Sequence, residues 1–357
     1  MQMNVASTLG IVALLATSFA SHVQTRADDV WQTFDTQSQA SLRGLAAVNK
    51  DVAWACGSKA TVVQTIDGGK IWLQHAIPNL QDVEIRSIHA WDSNRAIVAT
   101  AGQPALILKT VDRGLTWKMT YENKSPQAFF DGMKFWNDRS GIAFSDPIDG
   151  GLVIVITNDS GDSWKAIDPQ LIPKIDTGEA GFAASNSSLH TFGNQLGWIG
   201  LGGGNDGPSR IFRTQNGGSN WTAHSVPSIS RGVSSGVFSI AFESETKGIA
   251  VGGDYNQLTE DTQNIAISDD GGLNWRAPQI NRPRGFRSSA IAIPFKNAQG
   301  PKSVWLACGP SGCDWSRDGE KWSAFSEIGF HVMAVAPDHS VWAAGSTGRV
   351  ARLMDAL

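Results

Sequence analysis

Three arginines, a histidine and an aspartate fall at one recurring position of this chain. Short apolar segments open seven successive units, and the second residue of each opening segment reads Arg43, Arg86, Asp131, Ala183, Phe238, Arg287 and His331. A guanidinium presents a planar fork of donors that matches a carboxylate or phosphate. Converging side chains of Arg43, Arg86 and Arg287, with His331 beside them, would therefore make an anion receptor. The same column also fits a solvated mouth whose charges pair among themselves, for example Asp131 with Arg86 of the adjacent unit. A second group of candidates lies in longer loops of the middle units: Asp146 and Asp149 in Ser145–Gly151, and Asp254 and Tyr255 in Gly253–Asp261. These residue types serve either as binding groups on grafted loops or as turn formers that satisfy their own side chains. Paired carboxylates in such loops could also supply the two acids of glycoside hydrolysis.

The elements that must position these residues announce themselves through one phrase, Ser/Thr-x-Asp-x-Gly-x-x-Trp. It runs Thr65–Trp72, Thr110–Trp117, Thr157–Trp164, Thr214–Trp221, Ser268–Trp275 and, one residue short, Ser316–Trp322. The acidic or amide positions are Asp67, Asp112, Asp159, Asn216, Asp270 and Asp318. This is the Asp-box of BNR-type β-propellers. Each copy suits a tight turn between two antiparallel strands: Asp and the hydroxyl bind backbone N–H groups, and Gly takes a conformation that a Cβ resists. The role is structural. The tryptophans recur 45 to 57 residues apart, a period that signals blades of several short strands. After Trp322 the strand pattern begins again and stops without a box, whereas Val30–Phe34 reads as an orphan last strand. The expectation is an all-β, seven-bladed propeller of four-stranded blades over residues 29–357, closed by the N-terminal strand completing the last blade.

The formal net charge of −4 supplies no basic footprint for nucleic acid. The apolar run Val5–Ala20 ends in Ser18-Phe19-Ala20, a small-x-small cleavage pattern, so residues 1–20 are expected to be a signal peptide and the protein periplasmic or secreted. Membrane contact is expected only through an uncleaved leader, and the chain is expected to be a monomer. Of three cysteines, Cys308 and Cys313 flank a hairpin turn and can bridge it, while Cys56 reads as a buried thiol. No metal-ligand spacing occurs and no cofactor is indicated. Gly202–Gly207 matches Gly-x-Gly-x-x-Gly, but the segment after it is strand-like rather than helical, so a dinucleotide site is not expected.

Beyond the boxes, Leu42-Arg-Gly-Leu, Gly141-Ile-Ala-Phe-Ser-Asp146-Pro-Ile-Asp149-Gly and Gly248-Ile-Ala-Val-Gly-Gly253-Asp-Tyr255 resemble segments of the photosystem II stability/assembly-factor family and its bacterial relatives. The resemblance spans residues 30–353. It implies an exported, non-catalytic seven-bladed propeller that binds a protein partner or an anionic ligand. Asp-boxes also occur in sialidases, which use an arginine triad, a tyrosine nucleophile with a nearby glutamate, and an aspartate. Here only Tyr121 and Tyr255 are available, and no Phe-Arg-Ile-Pro segment occurs. A glycoside hydrolase acting at the face opposite the boxes is therefore the alternative, with a binding protein preferred.

Overall fold

The computed structural model describes residues 30–297 and 300–354, so the expected signal peptide at 1–20 lies outside the described residues. Apolar residues alternate along short runs separated by Gly- and Asp-rich turns, and each run forms a strand. Seven antiparallel sheets result. The first comprises Leu42–Ala47, Ala53–Gly57, Val62–Thr65 and Leu73–His75, and the second Glu84–Ala90, Ala96–Ala101, Ala105–Thr110 and Lys118–Asn123. Phe130–Phe135, Gly141–Ile148, Gly151–Thr157 and Lys165–Ala166 form the third, and Leu189–Phe192, Leu196–Gly200, Gly207–Thr214 and Thr222–Arg231 the fourth. The sixth contains Ser289–Asn297, Gly300–Gly309, Gly312–Ser316 and Trp322–Ser326. In the seventh, Val332–Val335, Val341–Ala344 and Arg349–Leu353 are completed by Trp31–Asp35, which pairs antiparallel with Arg349–Leu353.

The fifth sheet departs from the four-strand grammar. Ser235–Phe242, Gly248–Asp254 and Ile265–Ser268 are joined by two short strands, Glu179–Ala180 and Gly202–Gly203. In place of an outer strand there is an isolated bridge between Ile267 and Arg276. The added strands come from the long connection after the third sheet and from the glycine run after Gly200. That glycine run is followed by a strand, so it makes no dinucleotide turn.

Packing is repetitive. The opening strand of each sheet lies against that of the next, and Val332–Val335 lies against Leu42–Ala47. Seven apolar clusters fill the spaces between neighbouring sheets, including one that unites Leu42 and Ala55 with Val332 and Trp342. Trp54, Trp198, Trp305 and Trp342 sit in the second strands and are fully buried. Three of them donate an indole N–H to a carbonyl beyond their own sheet: Trp54 to Asp92 (3.1 Å), Trp198 to Gly271 (2.9 Å) and Trp342 to Asn49 (3.1 Å). In these three the large ring is buried without stranding its N–H, whereas the Trp305 N–H finds no partner.

All six boxes repeat one hydrogen-bond circuit. In the first, the Thr65 hydroxyl donates to Asp67 Oδ1 (2.9 Å) and accepts from Gly69 N–H (2.9 Å), while Asp67 Oδ1 accepts from Ile71 N–H (3.0 Å). Asp112, Asp159, Asn216, Asp270 and Asp318 each accept from their own Ser/Thr hydroxyl in the same way. Gly69, at φ +92°, turns its bare Cα toward the Phe34 ring, where a Cβ would collide. Cys308 and Cys313 are disulfide-bonded across their hairpin, and Cys56 is a buried free thiol.

Candidate functional site

Four residues of the recurring column share one backbone cause. The pairing of first and second strands slips by one residue between Leu42 and Gly44, Ile85 and Ser87, Phe130 and Gly132, and Val237 and Ser239. The residue left out of each ladder is Arg43, Arg86, Asp131 or Phe238. A β-bulge of this kind releases one side chain from the sheet's alternation and re-aims it. In sheet one the bulge lies beside Gly57 and Val62, at the opposite end from Thr65 and its box. The boxes and the bulges therefore mark opposite ends of the sheets.

Arg43, Arg86, Ala183, Phe238 and His331 line one cavity of about 520 Å³, together with Tyr255 and with Phe182 and Phe286. One wall is cationic. Arg43 donates one long hydrogen bond (3.4 Å) to the Ala184 carbonyl. Arg86 donates one of the same length to the Ala183 carbonyl and a second, from Nε, to the Glu84 carboxylate at 3.2 Å. Burial, and then the charge of Arg86, lower the Arg43 pKa from its ordinary value. His331 is pushed down to about 4 by burial and by the positive field of Arg43, Arg349 and Arg86, so near neutral pH it is an uncharged ring, with Nε2 3.0 Å from the Ser346 hydroxyl. The other wall is aromatic: Phe182 stacks on Phe238 (4.1 Å between centroids), and Tyr255 and Phe286 meet Phe238 edge-on.

The long connection after the third sheet builds part of this mouth. Glu179 is fully buried and accepts from Arg210 Nε (2.9 Å), with Arg231 at 3.6 Å, while Asp176 pairs with Arg231 at 2.5 Å. Pinned there, the connection carries Phe182 to the aromatic wall and offers the Ala183 and Ala184 carbonyls to the arginines.

The remaining candidates part company with the cavity. Arg287 does not join the other arginines. Sheet six has no bulge at its start, and the guanidinium turns inward, fully buried, to Asp314 (Nε–Oδ2 2.9 Å) and the Phe286 carbonyl (2.9 Å). Asp131 does not pair with Arg86. It is buried against Asp146, and neither carboxyl oxygen has another hydrogen-bond partner. Burial, then the charge of Asp146, raise Asp131 well above the usual carboxylate range; burial raises Asp146 to about 6, against opposing hydrogen bonds from Asp131 and the Gly181 N–H. Each carboxyl thus favours its protonated form more than a free carboxyl does. Asp146 opens onto a separate cleft with Gln127 and Glu179. Asp149, at φ +53°, is an exposed turn former. Asp254 caps its own loop through Asn256 N–H (2.8 Å) and lines another pocket. The acidic candidates therefore do not converge on one site. Phe182 and Phe286, absent from the expected set, each immediately precede an expected column residue.

This geometry has counterparts among known proteins. Residues 23–177 match the family model described as photosynthesis system II assembly factor YCF48. The photosystem II assembly lipoprotein Ycf48 of Synechococcus sp. (strain CC9902) is 24% identical over 148 residues, so the match spans 41% of this chain and 43% of that relative, less than half of either. Over that first part the chain is similar to the photosystem II assembly factor-like BNR propellers. Two solved structures of that kind superpose with TM-scores of 0.59 at 16% identity: YCF48 bound to D1 peptide, over 92% of this chain and 97% of that one, and YCF48 from Cyanidioschyzon merolae, over 91% and 98%. The propeller fold extends to a GH74 xyloglucanase from Xanthomonas campestris (TM-score 0.57, 13% identity, 92% of this chain and 54% of that one). The cationic and aromatic mouth is this chain's candidate site. Among the described residues no helix is long and apolar enough to cross a membrane.

Proposed function

We propose that this chain is an exported, non-catalytic propeller of seven blades, its ring closed by Trp31–Asp35, that captures a carboxylate-bearing protein segment at the mouth opposite the Asp-boxes. The observation that carries the reading is the two-sided cavity. Arg43 and Arg86 are partly dehydrated, lie in each other's field and have few partners, so an incoming carboxylate relieves a repulsion already built into the wall. Phe182, Phe238, Phe286 and Tyr255 offer rigid apolar area for a neighbouring side chain at small entropic cost. The fold shared with YCF48 bound to D1 peptide supports a peptide as the occupant. The dispersal of Asp146, Asp149 and Asp254 over separate pockets weighs against two-acid hydrolysis.

An array of aromatic-containing peptides, presented with free carboxylates and as their amides, tests the reading. The protein should prefer the carboxylates, and Arg43→Ala/Arg86→Ala should weaken binding at least tenfold, since a hydrogen bond to a charged group contributes about 1.5–3 kcal/mol, with the unfolding midpoint preserved. Equal binding of amides, or undiminished binding by the variant, refutes the arginine wall. Turnover of fluorogenic glycosides that is lost in Asp146→Asn would overturn the non-catalytic assignment.

A further inference from the structure

The box face carries an apolar patch that the capture mouth does not use. At the tips of the first two boxes Ile66, Ile71, Val111 and Leu115 stand 43%, 63%, 64% and 79% exposed. The same turn positions in the third and fourth boxes hold Asn158, Asp162, Ser163, Gln215, Ser219 and Asn220. The asymmetry therefore does not come from the box motif, whose hydrogen bonds are identical in all these copies.

The patch lies where the chain begins its fold. Trp31 pairs with Leu353, and Val335 with Val341, so Trp31 sits at the box end of sheet seven. The first box turn packs beside that strand, with Gly69 against Phe34 and Gly68 near Arg352. Upstream in the sequence, the apolar run Val5–Ala20 stands only nine residues before Val30, a link that spans at most about 30 Å. The two boxes with paired apolar tips thus lie on the arc of the box face nearest the point where an apolar N-terminal segment leads into the fold; beyond them the third and fourth boxes carry polar tips and the fifth a single apolar one, Leu273, 46% exposed.

We infer that this arc, built from the first two box turns, docks on a lipid bilayer surface. Isolated aliphatic tips on convex turns suit insertion among headgroups better than a groove-filling protein contact. The exposed cations Lys70, Arg113 and Lys118 flank them as interfacial side chains do. Asp67 and Asp112 spend carboxylate oxygens on their own turns. Docked in this way, the molecule turns its capture mouth away from the bilayer.

The test uses the full chain with an environment-sensitive fluorophore on Leu115→Cys or on Gln215→Cys; the native cysteines are buried or disulfide-bonded. Vesicles of phosphatidylcholine with a minor fraction of phosphatidylglycerol should shift emission to the blue at position 115 and leave position 215 unchanged. Ile66→Ser/Leu115→Ser should lower vesicle partitioning by roughly tenfold or more, from the apolar area withdrawn. Equal shifts at both positions, no shift, or unchanged partitioning of the double variant overturns the proposal. So does a probe at 115 already blue-shifted without vesicles, which would mean that the chain's own N-terminal segment or a second copy covers the patch.

Discussion

Asp131→Asn should stabilise the protein, and by more the higher the pH. Asp131 is 1% exposed, its carboxyl oxygens find no partner except Asp146, and the only opposing cation acting on it is Arg86. Its folded pKa is raised, so the folded state binds more protons than the unfolded chain, and stability falls as pH rises above the unfolded pKa of about 3.9. Holding one proton that the unfolded chain has released costs about 1.4 kcal/mol per pH unit. Between about pH 5 and about pH 7 the advantage of the asparagine variant should therefore widen for as long as Asp131 keeps its proton. The wild-type curve alone would mislead. His89 and His190 are depressed by burial to about 3, and His331 to about 4, so their contribution is lost as pH falls below the unfolded value of about 6.5 and runs the other way. These histidines are common to both proteins and cancel in the difference. Urea unfolding of both at the two pH values measures it. A difference that stays constant with pH, or an asparagine variant that is less stable throughout, would refute the reading of Asp131 as a buried, protonated carboxyl.

Arg287→Met should cost about 3 kcal/mol, because it leaves the buried Asp314 with only the half-exposed Arg284; peptide capture should survive in the folded fraction, and a loss matching that of Arg43→Ala would return Arg287 to the cavity. Thr110→Val is nearly isosteric but strands the buried Gly114 N–H that its hydroxyl accepts at 2.9 Å, so a loss of about 1–3 kcal/mol in denaturant unfolding is expected, and a neutral outcome would deny the box hydroxyl its structural role.

The boxes are legible in the sequence because their chemistry is local: hydroxyl, carboxylate and glycine satisfy one another within a single turn, and nothing distant has to be known. Arg43, Arg86 and Phe238 are legible for a related reason, since a bulge recurs at nearly the same place in sheets one, two and five, and His331 holds the equivalent place just before the first strand of sheet seven. Arg287 departs from the expected column by one position. Sheet six begins without a bulge, and a one-residue offset exchanges inside for outside; it is Phe286 that faces the cavity and Arg287 that turns to Asp314. Asp314 lies on a strand two hairpins away, so no spacing announces the pair. Asp131 and Asp146 meet across one hairpin, each at an irregularity in strand pairing that no residue pattern announces. The short strand Glu179–Ala180 is hidden because its place depends on Arg210 and Arg231, which lie well downstream.

The pairing of Trp31–Asp35 with Arg349–Leu353 has a bearing on how the molecule comes into being. Residues 36 to 348 must all be made before this ladder can form, and contacts of such long sequence separation are late and slow. Until then Trp31–Asp35 is a bare strand, open to pairing with a neighbour. Arg349 and Arg352, placed on the strand it joins, give that strand the charge that discourages pairing with another molecule before Trp31–Asp35 docks.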